Sequence, residues 1–170
     1  MDAESQDPVL SLDPGTVAAL EASGWHPGRR VDVSAEVQAL EARGYVTSRT
    51  VLGFLESFSG LRVEPVNEQG PNFINGEPFI ADPVGVGNRH QDEAVAIGSA
   101  LNGAWFPIGW WLSYSHVFME RSGALVACAN GLIWSLGDTP LAGLDFMVRA
   151  DRPLVCVHAP AGVRPWPDSV

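Results

Sequence analysis

Lysine is missing from this sequence. All ten basic residues are arginine, against twenty Asp and Glu, giving a formal net charge of −10 over 170 residues. Without lysine there is no GxxxxGK[ST] phosphate loop. The acidic excess argues against nucleic-acid binding, which needs a basic patch. It allows a basic partner, held partly by complementary charge. Cysteine is nearly missing too. Cys128 and Cys156 alone make no disulfide framework, and a chain of this length does not need one. Both sit in apolar, strand-like stretches and read as buried thiols. Long hydrophobic runs are also lacking. The densest, Phe106–Leu112, holds Pro107 and Gly109 and is far too short to span a bilayer. The first residues, MDAESQDPVLSLDPG, carry no cation and no apolar core, so no signal peptide is expected there. A cytoplasmic, reducing setting is the resulting expectation.

What is present suits one packed domain. Hydrophobic residues make up 46% and charged residues 18%, a balance of globules rather than disordered acidic tails. The expected division is a loose acidic N-terminus over 1–13, a single domain over 14–158 and a loose, proline-rich tail over 159–170. Asp13-Pro14 opens a helix that Gly24 closes. Ser34 is placed to cap a second, with Val37 and Leu40 on one face and Gly44 at its end. Ser48 caps a third carrying Val51, Leu52, Leu55 and Phe58. The texture then changes. Leu61–Val66 reads as a short strand, and Asn75-Gly76 as a hairpin turn between Phe73-Ile74 and Pro78-Phe79-Ile80. Asp82-Pro83 and the glycines after it read as a loop, and His90–Asn102 as a helix. Strands follow at Phe106–Ser113, Val117–Glu120, Ala124–Ala129 and Leu132–Leu136. A helix from Pro140 and a strand at Leu154–Val157 close the pattern. This order predicts an α+β fold: short N-terminal helices, a mostly antiparallel sheet of short strands, and a C-terminal helix packed on the sheet.

Catalytic motifs are sparse. The four histidines, at 26, 90, 116 and 158, form no HExxH pair, and the cysteines no CxxC, so neither metal nor cofactor is expected. His90-Gln91-Asp92-Glu93 reads as a helix N-terminus whose acids favour the positive dipole end. Gly85-Val86-Gly87 lacks the rest of a dinucleotide fingerprint, and no GxSxG elbow is present. A Cys128–His116 nucleophile remains open, since both lie near strands able to pair.

Two features point outward. Residues 1–60 and 61–120 each carry a net charge of −5, whereas 121–170 are neutral. Between 64 and 93, Glu64, Glu68, Glu77, Asp82, Asp92 and Glu93 face Arg89 alone, either as a solubilising surface or as a face for a basic partner. In FPIGWWLSY, residues 106, 108, 110, 112 and 114 fall on one face of a strand and leave Trp111 on the other. Trp111 is then either covered by a helix or exposed as an interface anchor.

Gly24-Trp25-His26-Pro27-Gly28-Arg29 lies between two short helices. A helix with Phe54-Leu55 and Phe58 follows and ends at Gly60-Leu61. After these come Pro107-Ile108-Gly109, a hairpin around Gly123 and a helix near Pro140. Over about residues 14–157 this resembles the third subgroup of the SUKH superfamily of bacterial immunity proteins. The resemblance implies a small α+β protein, not an enzyme, encoded beside a secreted polymorphic toxin. It implies a partner too: the cognate toxin domain, often a nuclease or deaminase, neutralised by stoichiometric binding. It transfers no catalytic residues. Trp25 then reads as a hydrophobic plug and Arg29 as a partner for a carboxylate or a helix end. The expected contact residues are the six acids of 64–93 and Trp111. Two rival readings are a regulatory scaffold module without a toxin, and a small hydrolase or transferase using Cys128 or a histidine.

Overall fold

A computed structural model describes residues 6–168 of the chain. Several helices start the same way: a polar side chain accepts a backbone N–H, and a proline follows where the helix needs no donor. Asp13 caps α1 (Pro14–Ala22) in this manner, and Thr139 caps α6 (Pro140–Arg149). Asp82 caps α4 (Pro83–Gly87), so the glycine-rich stretch expected as a loop is a short helix that seals Val86 completely from water. Ser48 caps α3 (Arg49–Phe58), as its position predicts. Ser34 does not cap α2 (Ser34–Glu41). It is the first helical residue, and Asp32 accepts both its N–H and its O–H. The expected loose N-terminus falls partly on residues 1–5, outside the described residues. From Pro8 to Ser11 the chain forms a 3-10 turn capped by Asp7, with Val9 buried.

The GWHPGR segment is structural. Trp25 is 2% exposed and its indole N–H points to Ser57 Oγ at 3.4 Å. Arg29 donates to the carbonyls of Ser57 (2.6 Å) and Ser59 (2.9 Å), at the C-terminal end of α3 where carbonyls lack helical partners. Of the two roles expected for Arg29, the helix end is the one observed.

Seven antiparallel strands form one meander in sequence order. They are β1 (Arg62–Val63), β2 (Phe79–Ile80), β3 (Trp105–Trp111), β4 (Ser115–Glu120), β5 (Leu125–Ala129), β6 (Leu132–Gly137) and β7 (Val155–His158). Before β3 runs α5 (Gln91–Leu101). The hairpin expected at Asn75-Gly76 is not formed. Asn75 is fully buried and works through its side chain. Its amide donates to the carbonyls of Asn67 (3.2 Å) and Met147 (2.9 Å), and its Oδ1 accepts the Trp111 indole N–H at 3.1 Å. A residue type that usually makes turns here ties a loop, a helix and a strand together.

Strand β3 departs from simple alternation. Pro107 pairs with Phe118 and Gly109 with Val117, so Ile108 is an extra, bulged residue. The bulge flips the faces beyond it. Phe106, opposite Met119, therefore shares a face with Trp111, opposite Ser115, rather than with Trp110. The strand also stops at Trp111. Leu112 and Ser113 have φ of 55° and 57° and turn the chain into β4. Gly109 is obligatory, because a methyl there would collide with the Ile80 carbonyl.

The two sheet faces are covered unequally. Helix α6 lies over one face, where Phe146 packs on Trp111 and Gly143 sits against Leu125. Helix α5 lies over the other, across β3 and β4. The proline-rich tail expected to be loose is joined to the sheet where described: the Trp166 carbonyl accepts the Trp134 indole N–H.

Replacing Asn75 with Ala would strand the Trp111 N–H and the Met147 carbonyl in the interior. Denaturant unfolding should show a loss of about 2–4 kcal/mol, since each unsatisfied buried group costs roughly 1–3 kcal/mol.

Candidate functional site

The predicted contact residues do not form one patch. Glu64 is exposed beside β1 and pairs with Arg62 at 2.8 Å. Glu68 and Glu77 are exposed on the connection between β1 and β2. Asp82 is spent on the cap of α4. Asp92 is exposed in the first turn of α5, and Glu93 is half-buried against β4. Trp111 is 0% exposed, enclosed by Phe73 and Phe146 with its N–H on Asn75. The covered alternative for Trp111 therefore holds, and its side chain is no surface anchor.

Glu93 is the centre of a cluster that the sequence does not announce. His116 on β4 donates from Nδ1 to Glu93 Oε2 at 2.6 Å. His90, the residue just before α5, places Nδ1 3.6 Å from Glu93 Oε1. The two imidazoles stack with centroids 3.6 Å apart, and Trp110 meets both edge-on. Within the sequence 90–93 looks like an ordinary helix start. Only the antiparallel return of β4 delivers His116 to it.

Could this cluster hold a metal? Donor atoms of His90, Glu93 and His116 lie within 4.8 Å of one another, the one such group among the described residues. Imidazole lone pairs lie in the ring plane. Stacked rings, tilted by 23°, therefore aim their donors nearly side by side rather than at a common point. The 2.6 Å contact is the length of a charge-assisted hydrogen bond. The arrangement suits a clasp fastening the start of α5 to the sheet. Burial is the main cause that holds the His90 pKa below the usual imidazole value. The neighbouring His116 adds to this and Arg89 contributes in the same direction, while Glu93 and Asp92 oppose it.

Cys128 lies directly opposite His116 on β5, so the pairing left open by the sequence does occur. The chemistry does not follow. Cys128 is 3% exposed, and burial followed by the charges of Glu93 and Asp92 pushes its thiol up to about 12. A nucleophilic cysteine needs the opposite, a stabilised thiolate. Cys156 is half-buried, with Sγ 3.2 Å from the His158 carbonyl.

Beyond β4 the α5 face of the sheet is indented by cavities, although its apolar residues are buried. The register puts Val126 and Cys128 of β5 beside Ser135 and Ile133 of β6, all on the His116 face. Two cavities lie over consecutive pairs of this floor. One, about 380 Å³, is bounded by Asp92, Glu93 and His158. The other, about 480 Å³, is bounded by Leu101, Glu120, Asp138 and Val157. Hydrogen bonds from Ser122 keep the Glu120 carboxyl below its usual range and so ionised.

Two outcomes follow from these environments. In native protein at pH 8 a thiol-exchange reagent such as DTNB should leave Cys128 unreacted, and both thiols should react in denaturant. His90 has a folded pKa below its unfolded value, so its contribution to stability is present above the ordinary imidazole pKa and is lost as pH falls through the folded one. Denaturant midpoints compared at pH 7.5 and 5.0 should fall less in His90→Gln than in the parent chain.

No helix among the described residues is long and apolar enough to cross a membrane. No curated protein and no solved structure matches the chain. One family model, described as SUKH-3 immunity protein, matches residues 12–149. That span takes in the Trp25–Arg29 segment, α1 to α6, the His90–Glu93–His116 cluster and β1 to β6. The chain belongs to the SUKH-3 immunity protein family.

Proposed function

We propose that the protein is a bacterial immunity protein that binds a cognate polymorphic toxin in the cytoplasm and neutralises it by stoichiometric occlusion, without catalysis. The family membership over residues 12–149 carries this reading. Two physical observations support it. The net charge of −10 suits a partner with a basic surface, as a nuclease or deaminase has for its nucleic-acid substrate. The thiol opposite His116 is buried and held protonated, which disfavours Cys128 as the nucleophile of a cysteine hydrolase.

Binding of this kind acts by blocking access, so one immunity chain should silence one toxin domain. The test is calorimetric titration with the C-terminal domain of the toxin encoded beside this gene, together with an assay of that domain's activity. The expected result is a 1:1 complex that abolishes activity and weakens at least tenfold between 50 mM and 500 mM NaCl. A toxin domain that stays active in excess immunity protein would refute the reading.

A further inference from the structure

We propose that the trough between α5 and β7, on the α5 face of the sheet, is where the toxin docks, and that it receives a basic segment with an apolar centre. This rests on the immunity reading and names the face that performs it.

The geometry comes first. A sheet in a two-layer domain needs cover on any face made of apolar residues. On the α6 side that cover is complete around Trp111 and Leu125. On the α5 side the helix lies against β3 and β4, and two cavities indent the surface beside it, over β5 and β6. The floor there is Val126, Cys128 and Ile133, all buried, and the half-buried Ser135. Helix α5 forms one wall. The other is β7, the last strand of the sheet, whose Val157 is 43% exposed. The two cavities lie end to end along this trough, because Val126–Ser135 and Cys128–Ile133 are successive same-face pairs.

The charge of the trough identifies its occupant. Four carboxylates bound it, Glu120 and Asp138 at one end and Asp92 and Glu93 at the other, and no arginine lines either cavity. Neither Asp92 nor Asp138 has an ion-pair partner among the described residues. An exposed valine wall flanked by carboxylates fits a segment that places apolar side chains between Arg or Lys residues. A second copy of this chain is a poor fit, since it brings the same acids and a further −10 of charge. The acids of the β1–β2 connection, Glu68 and Glu77, lie outside the trough.

The experiment compares matched variants against the toxin domain encoded beside the gene, at 50 mM NaCl, with melting curves to confirm folding. Asp92→Asn/Asp138→Asn removes two charges from the trough, and Glu68→Gln/Glu77→Gln removes two from the β1–β2 connection. Val157→Arg, at an exposed position, adds bulk and positive charge to the wall. Binding should weaken about tenfold in the first double variant and about a hundredfold in Val157→Arg, while the second double variant stays within threefold of the parent. Parent-like affinity in both trough variants would overturn the docking face and leave the immunity reading standing. Equal losses in the two double variants, with no effect of Val157→Arg, would overturn it as well. Failure of the parent chain to bind would remove the immunity reading itself.

Discussion

Two adjacent tryptophans on β3 set the main constraint on this fold. Neighbouring residues of a strand point to opposite faces, so Trp110 and Trp111 demand cover on both sides at one place in the sheet. Each side answers differently. Trp111 receives a dry, aromatic enclosure from Phe73 and Phe146, and its indole N–H is met by the fully buried Asn75. Trp110 is half-buried against the His90–His116 stack, which Glu93 fastens to α5. The position of α5 is thus fixed by a polar clasp, and that of α6 by packing around Trp111. Both depend on the bulge at Ile108, which decides which tryptophan faces which helix.

The constraint has a consequence for function. Cover is concentrated where the tryptophans are, over β3 and β4. Strands β5 and β6 carry α6 on one side and two cavities beside α5 on the other, and β7 is the exposed edge. The proposed docking uses the exposed Val157 of β7 and the carboxylates at both ends of the trough, which favour a cationic partner. Inhibition by occlusion needs no reactive group, only a surface that outcompetes the toxin's own substrate. The histidine cluster fits this view as a positioning device: it fixes the start of α5, and hence the placement of Asp92 and Glu93 at the mouth of the trough.

Much of the fold was legible in the sequence because its signals are local. Asp13-Pro14 and Ser48 mark helix starts through side-chain caps, and the strands from Trp105 to Gly137 show in their apolar runs and turn glycines. The GWHPGR segment carried the family resemblance, and its Arg29 indeed closes a helix end. What escaped was tertiary. Asn75-Gly76 has the composition of a turn, yet Asn75 is consumed by partners 8, 36 and 72 residues away. The bulge leaves no mark in the hydrophobic pattern, so the faces of β3 were assigned as if it alternated regularly. The cluster of acids between 64 and 93 is continuous in sequence and divided in space, between the β1–β2 connection, a helix cap and the start of α5. Glu120 and Asp138, which bound the trough, lie outside that stretch altogether.

Amide hydrogen exchange on the chain, free and saturated with the toxin domain encoded beside it, tests the central claim most directly. The account predicts added protection in β6, β7 and the first turn of α5, with α1, α2 and the β1–β2 connection unchanged. Protection confined to α1 to α3, or none in β7, would contradict it.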